Sequence, residues 1–115
     1  MTRPHLQSVP QFYKGYVSNV QELDVIEALK QSSKDTLQLL KTIPEDKGEH
    51  RYAQGKWTIK ELLAHMLDVE RIMSYRALRF ARNHKTDLPG FEENDYAPEA
   101  NAHGRTISGL SGEIE

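Results

Sequence analysis

The chain predicts an all-α fold, an up-down helical bundle, and three observations carry that prediction. Apolar residues recur at helical spacing over two long stretches, 22–43 and 58–83. The second stretch opens on a complete helix-start signal, Thr58 with Glu61 three residues on. The apolar fraction of 37% and the mean hydropathy of -0.69 are low. They still suit a bundle, because each helix commits only one stripe to the interior.

Along the 115 residues, a single domain is expected. Residues 1–21 read as a lead-in arm, with Pro4 and Pro10 in an extended start and Phe12, Tyr13, Tyr16 and Val17 as a small apolar cluster at helical spacing. In the first helix, 22–43, Ile26, Leu29, Leu37, Leu40 and Ile43 fall near one stripe, with Ser33 as a small residue within it. Pro44 ends it, since the residue before a proline disfavours helical geometry. A charged connector, 45–55, follows.

The second helix covers 58–83. Trp57 before the cap and Leu62 after it are placed as a hydrophobic staple, so the tryptophan reads as packing rather than chemistry. Asp87-Leu88-Pro89-Gly90 breaks the helix, and 91–102 is acidic and loop-like. From Thr106 onward, Ile107, Leu110 and Ile114 keep helical spacing, although Gly109 and Gly112 each cost about 1 kcal/mol against alanine. Two long helices joined by a short connection predict an antiparallel hairpin. A hairpin covers only one side of each stripe, which implies further helices or a second chain.

Composition excludes several functions. Without cysteine there is no disulfide, thiolate metal site or cysteine nucleophile, so any metal is held by nitrogen and oxygen. The start of the chain does not read as a signal peptide, and no run approaches the roughly 18–20 apolar residues of a membrane span. The expected location is the cytoplasm. The net charge of -2 gives no case for a polyanion partner. Arg71, Arg76, Arg79, Arg82 and Lys85 form a basic run without aromatic interleaving, a weak nucleic-acid signal that fits a solvated face. No phosphate loop, nucleophile elbow or paired-carboxylate signature is present.

On a wheel advancing about 100° per residue, Leu62, Met66, Val69, Met73, Ala77 and Phe80 form the inward stripe of the second helix. His65 and Arg76 lie on one shoulder of it and Glu70 on the other. His65 is either a hydrogen-bonded structural histidine or a metal ligand. Glu61 and Asp68, on its side of the helix, can orient its second nitrogen or supply further ligands; both also fit a solvated face. Arg76, about 16 Å further along the axis, belongs either to an ion pair with Glu92, Glu93 or Asp95 or to an anion site. No two of the five histidines stand at i,i+3 or i,i+4.

Tyr52-x-x-Gly55-Lys56-Trp57-Thr58-Ile59-x-Glu61-Leu62-x-x-His65-x-x-Asp68-x-Glu70-Arg71, then Arg76-Ala77-Leu78-Arg79 and Leu88-Pro89-Gly90-Phe91-Glu92, resembles the DinB/YfiT-like family. The resemblance runs from the first helix to about Leu110. It implies a four-helix bundle with a divalent metal (zinc, nickel or iron) held by three histidines. His65 matches the first ligand; the HxxxH pair that supplies the other two has no counterpart here. Against the family pattern the chain reads as the N-terminal portion, lacking the last helix: a natural short form, a fragment or a frameshifted product. The resemblance further implies a metal-dependent thiol S-transferase or hydrolase, with a low-molecular-weight thiol as a second cofactor. The alternative is a non-catalytic helical hairpin that forms a homodimer through its apolar faces.

Overall fold

The computed structural model describes residues 2–21 and 24–114. Among these the chain is all-helical, without a β-sheet: α1 (Gln11–Asn19), α2 (Val25–Leu40), α3 (Ile59–Ala81), α4 (Glu93–Glu99) and α5 (Ile107–Ile114), with single 3-10 turns at Leu6–Ser8, Glu45–Lys47 and Ala102–Gly104. No helix among the described residues is long and apolar enough to cross a membrane. Contacts fall into two compact units, Met1–Leu39 and Leu40–Glu115.

In the first unit the lead-in is more structured than an extended arm. Its aromatic residues lie on α1, where the Phe12 ring meets Tyr13 edge-on at 5.0 Å and Tyr16 at 6.0 Å. Arg3 Nη1 donates to Val20 O at 2.6 Å. The α2 start predicted at Glu22 lies outside the described residues. Asp24 caps the helix, its Oδ1 accepting from Ile26 N and Glu27 N at 2.9 and 3.3 Å. The helix stops at Leu40, short of the predicted 43, as the chain turns into Pro44.

The second unit is built around α3. Both halves of the predicted capping box are formed: Thr58 Oγ1 accepts from Glu61 N at 3.1 Å, and Glu61 Oε2 accepts from Thr58 N at 2.6 Å. The preceding connector supplies the rest of the cap. Ile59 N donates to His50 O and Lys60 N to Gly48 O. The donors of the first turn are therefore satisfied within the protein, and this helix end is closed to an anion. At the other end, Asn83 takes a left-handed φ of 52°, with Asn83 N donating to Phe80 O and His84 N to Arg79 O. This is a Schellman stop with asparagine in the left-handed position. It ends the helix before the Asp87–Gly90 segment is reached.

The core comprises Leu40, Leu63, Ala64, Leu67, Ala102, Ile107 and Leu110, and α3 packs on α4, on the 102–104 turn and on α5. This corrects the predicted inward stripe. Of that stripe Met66 does pack against the core, but Leu62 and Met73 are 48% exposed and Phe80 75%, whereas Leu63, Ala64 and Leu67 are buried. The buried set is centred about 140° around the helix from the predicted stripe. α3 is apolar on two faces, and this chain covers the one that the wheel left out.

The acidic stretch 91–102 is likewise not a loop: α4 occupies Glu93–Glu99. Glu92 caps it by accepting from Asn94 N, Glu93 and Asp95 suit the positive end of the helix dipole, and Ala97 is buried. Pro98 sits in the last turn and helps to end it.

α5 forms despite its two glycines because its start is capped twice, locally by Thr106, whose Oγ1 accepts from Gly109 N at 3.0 Å, and by a distant residue. Glu45 accepts from Ile107 N and Ser108 N, both at 2.8 Å. Those two bonds hold its carboxyl below the usual carboxylate range. A depressed pKa contributes stability that is present at neutral pH and is lost as the pH falls through the folded-state value. Glu45→Gln is therefore expected to lower the thermal midpoint by several degrees at pH 7. It should also flatten the dependence of that midpoint on pH below about 4.5, read by circular dichroism.

Candidate functional site

His65 lies one turn into α3, half-buried, its ring 4.9 Å from that of Trp57. Trp57 precedes the Thr58 cap, so the capping box fixes the tryptophan, and the tryptophan backs the imidazole. Among the described residues no hydrogen bond or ion pair reaches the His65 ring. A cleft of about 530 Å3 opens beside this end of the helix, lined by His50, Tyr52, Lys56, Trp57, Leu62 and Asn94. Gly55, in the same wall, has a φ of +74°, a conformation that glycine adopts without strain.

The carboxylates expected to support His65 are engaged elsewhere. Glu61 completes the cap, pairs with Arg51 at 3.6 Å and meets His103 Nε2 at 3.4 Å. Asp68 pairs with Arg71 at 3.5 Å. Most of the basic run is also engaged within the fold. Arg71 meets Glu113 at 2.8 Å, Arg79 donates to Tyr75 Oη and Thr86 O, and Lys85 donates to Asn83. Arg76 is not paired with Glu92, Glu93 or Asp95. Its Nη2 donates to Pro89 O at 2.9 Å, which draws the 88–91 segment along α3.

A second polar cluster escaped the sequence reading. His103, in the 102–104 turn, places Nδ1 2.6 Å from Glu49 and Nε2 3.4 Å from Glu61, while Lys60 pairs with Glu49 at 3.1 Å. The His103 hydrogen bond, then Lys60, holds the Glu49 carboxyl below its usual range. Its members stand 42 to 54 residues from His103 in the sequence, so no local spacing announces them. His103 uses opposite nitrogens for its two carboxylates, and one ion cannot be held by both at once.

A family model described as the DinB superfamily matches residues 28–113. The chain belongs to the DinB superfamily. No curated protein and no solved structure matches it. The matched span takes in α3 with His65, the Leu88–Glu92 segment and most of α5.

Membership of the DinB superfamily raises the question of a metal, and the donor set answers it for this chain alone. One imidazole with both nitrogens free is a competent ligand, but a site needs three or four donors. Among the described residues no group of three histidine, aspartate or glutamate side chains is placed to hold an ion. The described residues do not by themselves make a full ligand set around His65.

Proposed function

We propose that this DinB-superfamily chain is a helical assembly module that pairs with a second copy of itself through the outward apolar face of α3. The observation that carries this reading is the exposure of Leu62, Met73 and Phe80 on one stripe of a helix whose other apolar face is already buried. A helix apolar on two sides belongs inside a bundle. The stripe runs about 27 Å from Leu62 to Phe80, long enough to match the same helix of another copy. A two-fold pairing uses the same patch twice, and a net charge of -2 opposes it little.

A second reading is supported by His65, whose ring nitrogens meet no hydrogen-bond partner among the described residues and which stands where the sequence resemblance puts the first metal ligand. It is a metal-dependent thiol S-transferase or hydrolase in which His65 is this chain's contribution to a metal site and the remaining ligands come from another chain.

Sedimentation over a concentration series, with and without zinc, tests both. The assembly reading expects a dimer or larger species at micromolar concentration, and Leu62→Glu with Met73→Glu should weaken it at least about tenfold, since charges are placed in an apolar contact. A well-folded monomer throughout removes it. The metal reading expects zinc to bind and to tighten the assembly, with both effects lost in His65→Ala; zinc binding equal in wild type and His65→Ala removes it.

A further inference from the structure

The second half of α3 carries a cleft apart from the His65 end. It is lined by that helix, the returning 88–91 segment and Tyr96 of α4, and has a volume of about 280 Å3. Its lining is mostly apolar and aromatic, with Ile72, Leu88, Tyr75, Phe91 and Tyr96, and it includes the Arg76 side chain. The walls are braced. Phe91 and Tyr96 pack with centroids 5.3 Å apart. The Arg79 guanidinium lies 5.4 Å over the Tyr75 ring and donates to its hydroxyl, while its other end holds Thr86 O at 3.0 Å.

The charge balance decides what such a cleft takes. Arg71, at the rim, is neutralised by Glu113 and Asp68. Arg76 is not: it donates one hydrogen bond, to a backbone carbonyl, and no carboxylate among the described residues pairs with it. A guanidinium offers five N–H donors in a planar fork. Here it is half-buried beside an apolar, aromatic-walled space, where the attraction for an anion is stronger than in open water. Carboxylates match that fork in bidentate geometry. The volume, about 280 Å3, falls just below the roughly 300–1,000 Å3 typical of ligand pockets, which limits an occupant to one ring or a short chain.

We propose that this cleft binds a small organic carboxylate, its acid group on Arg76 and its apolar body between Tyr75, Phe91 and Tyr96. Phenylacetate and its neutral amide, phenylacetamide, are the probes, titrated into the full chain and followed by calorimetry and by the ring resonances of the three aromatic residues. Phenylacetate is expected to bind, to shift those resonances, and to weaken with added salt. The amide is expected to bind at least about tenfold more weakly, because it fills the same space without the charge. Arg76→Gln should lose the difference between the two, and Arg76→Lys should retain part of it.

Because Arg76 also holds Pro89 O, the comparison of acid and amide on the unaltered chain is decisive in itself. Equal affinity for the two probes, shifts that fall elsewhere, or no binding at millimolar concentration would each overturn the proposal. So would acid binding undiminished in Arg76→Gln.

Discussion

Leu110→Ala is expected to cost about 3 kcal/mol, the middle of the range for truncating a fully buried leucine. Leu110 is 0% exposed, and it belongs to the core with Leu63 and Ile107, each 2% exposed. The helix that carries it is eight residues long with glycine at two of them. Such a helix has little stability of its own. What keeps α5 in place is the burial of Ile107 and Leu110 together with the Glu45 cap, so removing three carbons from Leu110 removes much of its reason to fold. A unit of this size is expected to be stable by only about 5 kcal/mol, so the loss is a large fraction of the total. Urea denaturation followed by circular dichroism measures it, with Leu110→Met as the volume-conserving control at under about 1.5 kcal/mol. A cost for Leu110→Ala below about 1 kcal/mol would show that α5 is not docked through this side chain.

The contrast between α3 and α5 shows which parts of this fold are legible in the sequence. The start of α3 is written locally: Thr58 and Glu61 stand three residues apart, and both of their hydrogen bonds are made. Its end is local too: the boundary expected near 83 falls at the left-handed Asn83. The Glu45 cap that helps to hold α5 comes from 62 residues upstream, and no periodicity reports a contact of that range. α4 was hidden by its composition, since Glu93, Asp95 and Pro98 look like loop residues until their places in the first and last turns are known.

The inward face of α3 was misread for a different reason. A helical wheel finds apolar stripes but cannot say which of two is covered. Leu62, Val69 and Met73 make the more regular stripe, whereas Leu63, Ala64 and Leu67 meet the core. His65 and Arg76 were identifiable as candidates because each is an isolated polar group near an apolar stripe. Their partners were not, because Arg76 binds a backbone carbonyl and the His65 ring faces Trp57. Backbone acceptors and ring contacts leave no mark in residue spacing.

Thr58→Val is the second substitution expected to have a large effect. Valine keeps the shape of a side chain that is 1% exposed, so the change isolates the hydroxyl. That hydroxyl accepts the Glu61 N–H in a partly buried position. Without it the donor has no partner, at a cost of about 1–2 kcal/mol. The loss spreads beyond one bond, because the Glu61 carboxylate that closes the reciprocal half of the box also meets Arg51 and His103. Loosening the first turn therefore frees the connector on one side and the 102–104 turn on the other. It also frees Trp57, whose ring backs His65 and which is the single tryptophan of the chain. Denaturation followed by tryptophan emission should thus show both a lower midpoint and a native-state spectrum shifted toward that of exposed indole. Thr58→Ser, which retains the acceptor, should preserve the native spectrum and lose under about 1 kcal/mol. If serine costs more than valine, the buried methyl rather than the cap holds this end of α3, and the geometry around His65 rests on packing alone.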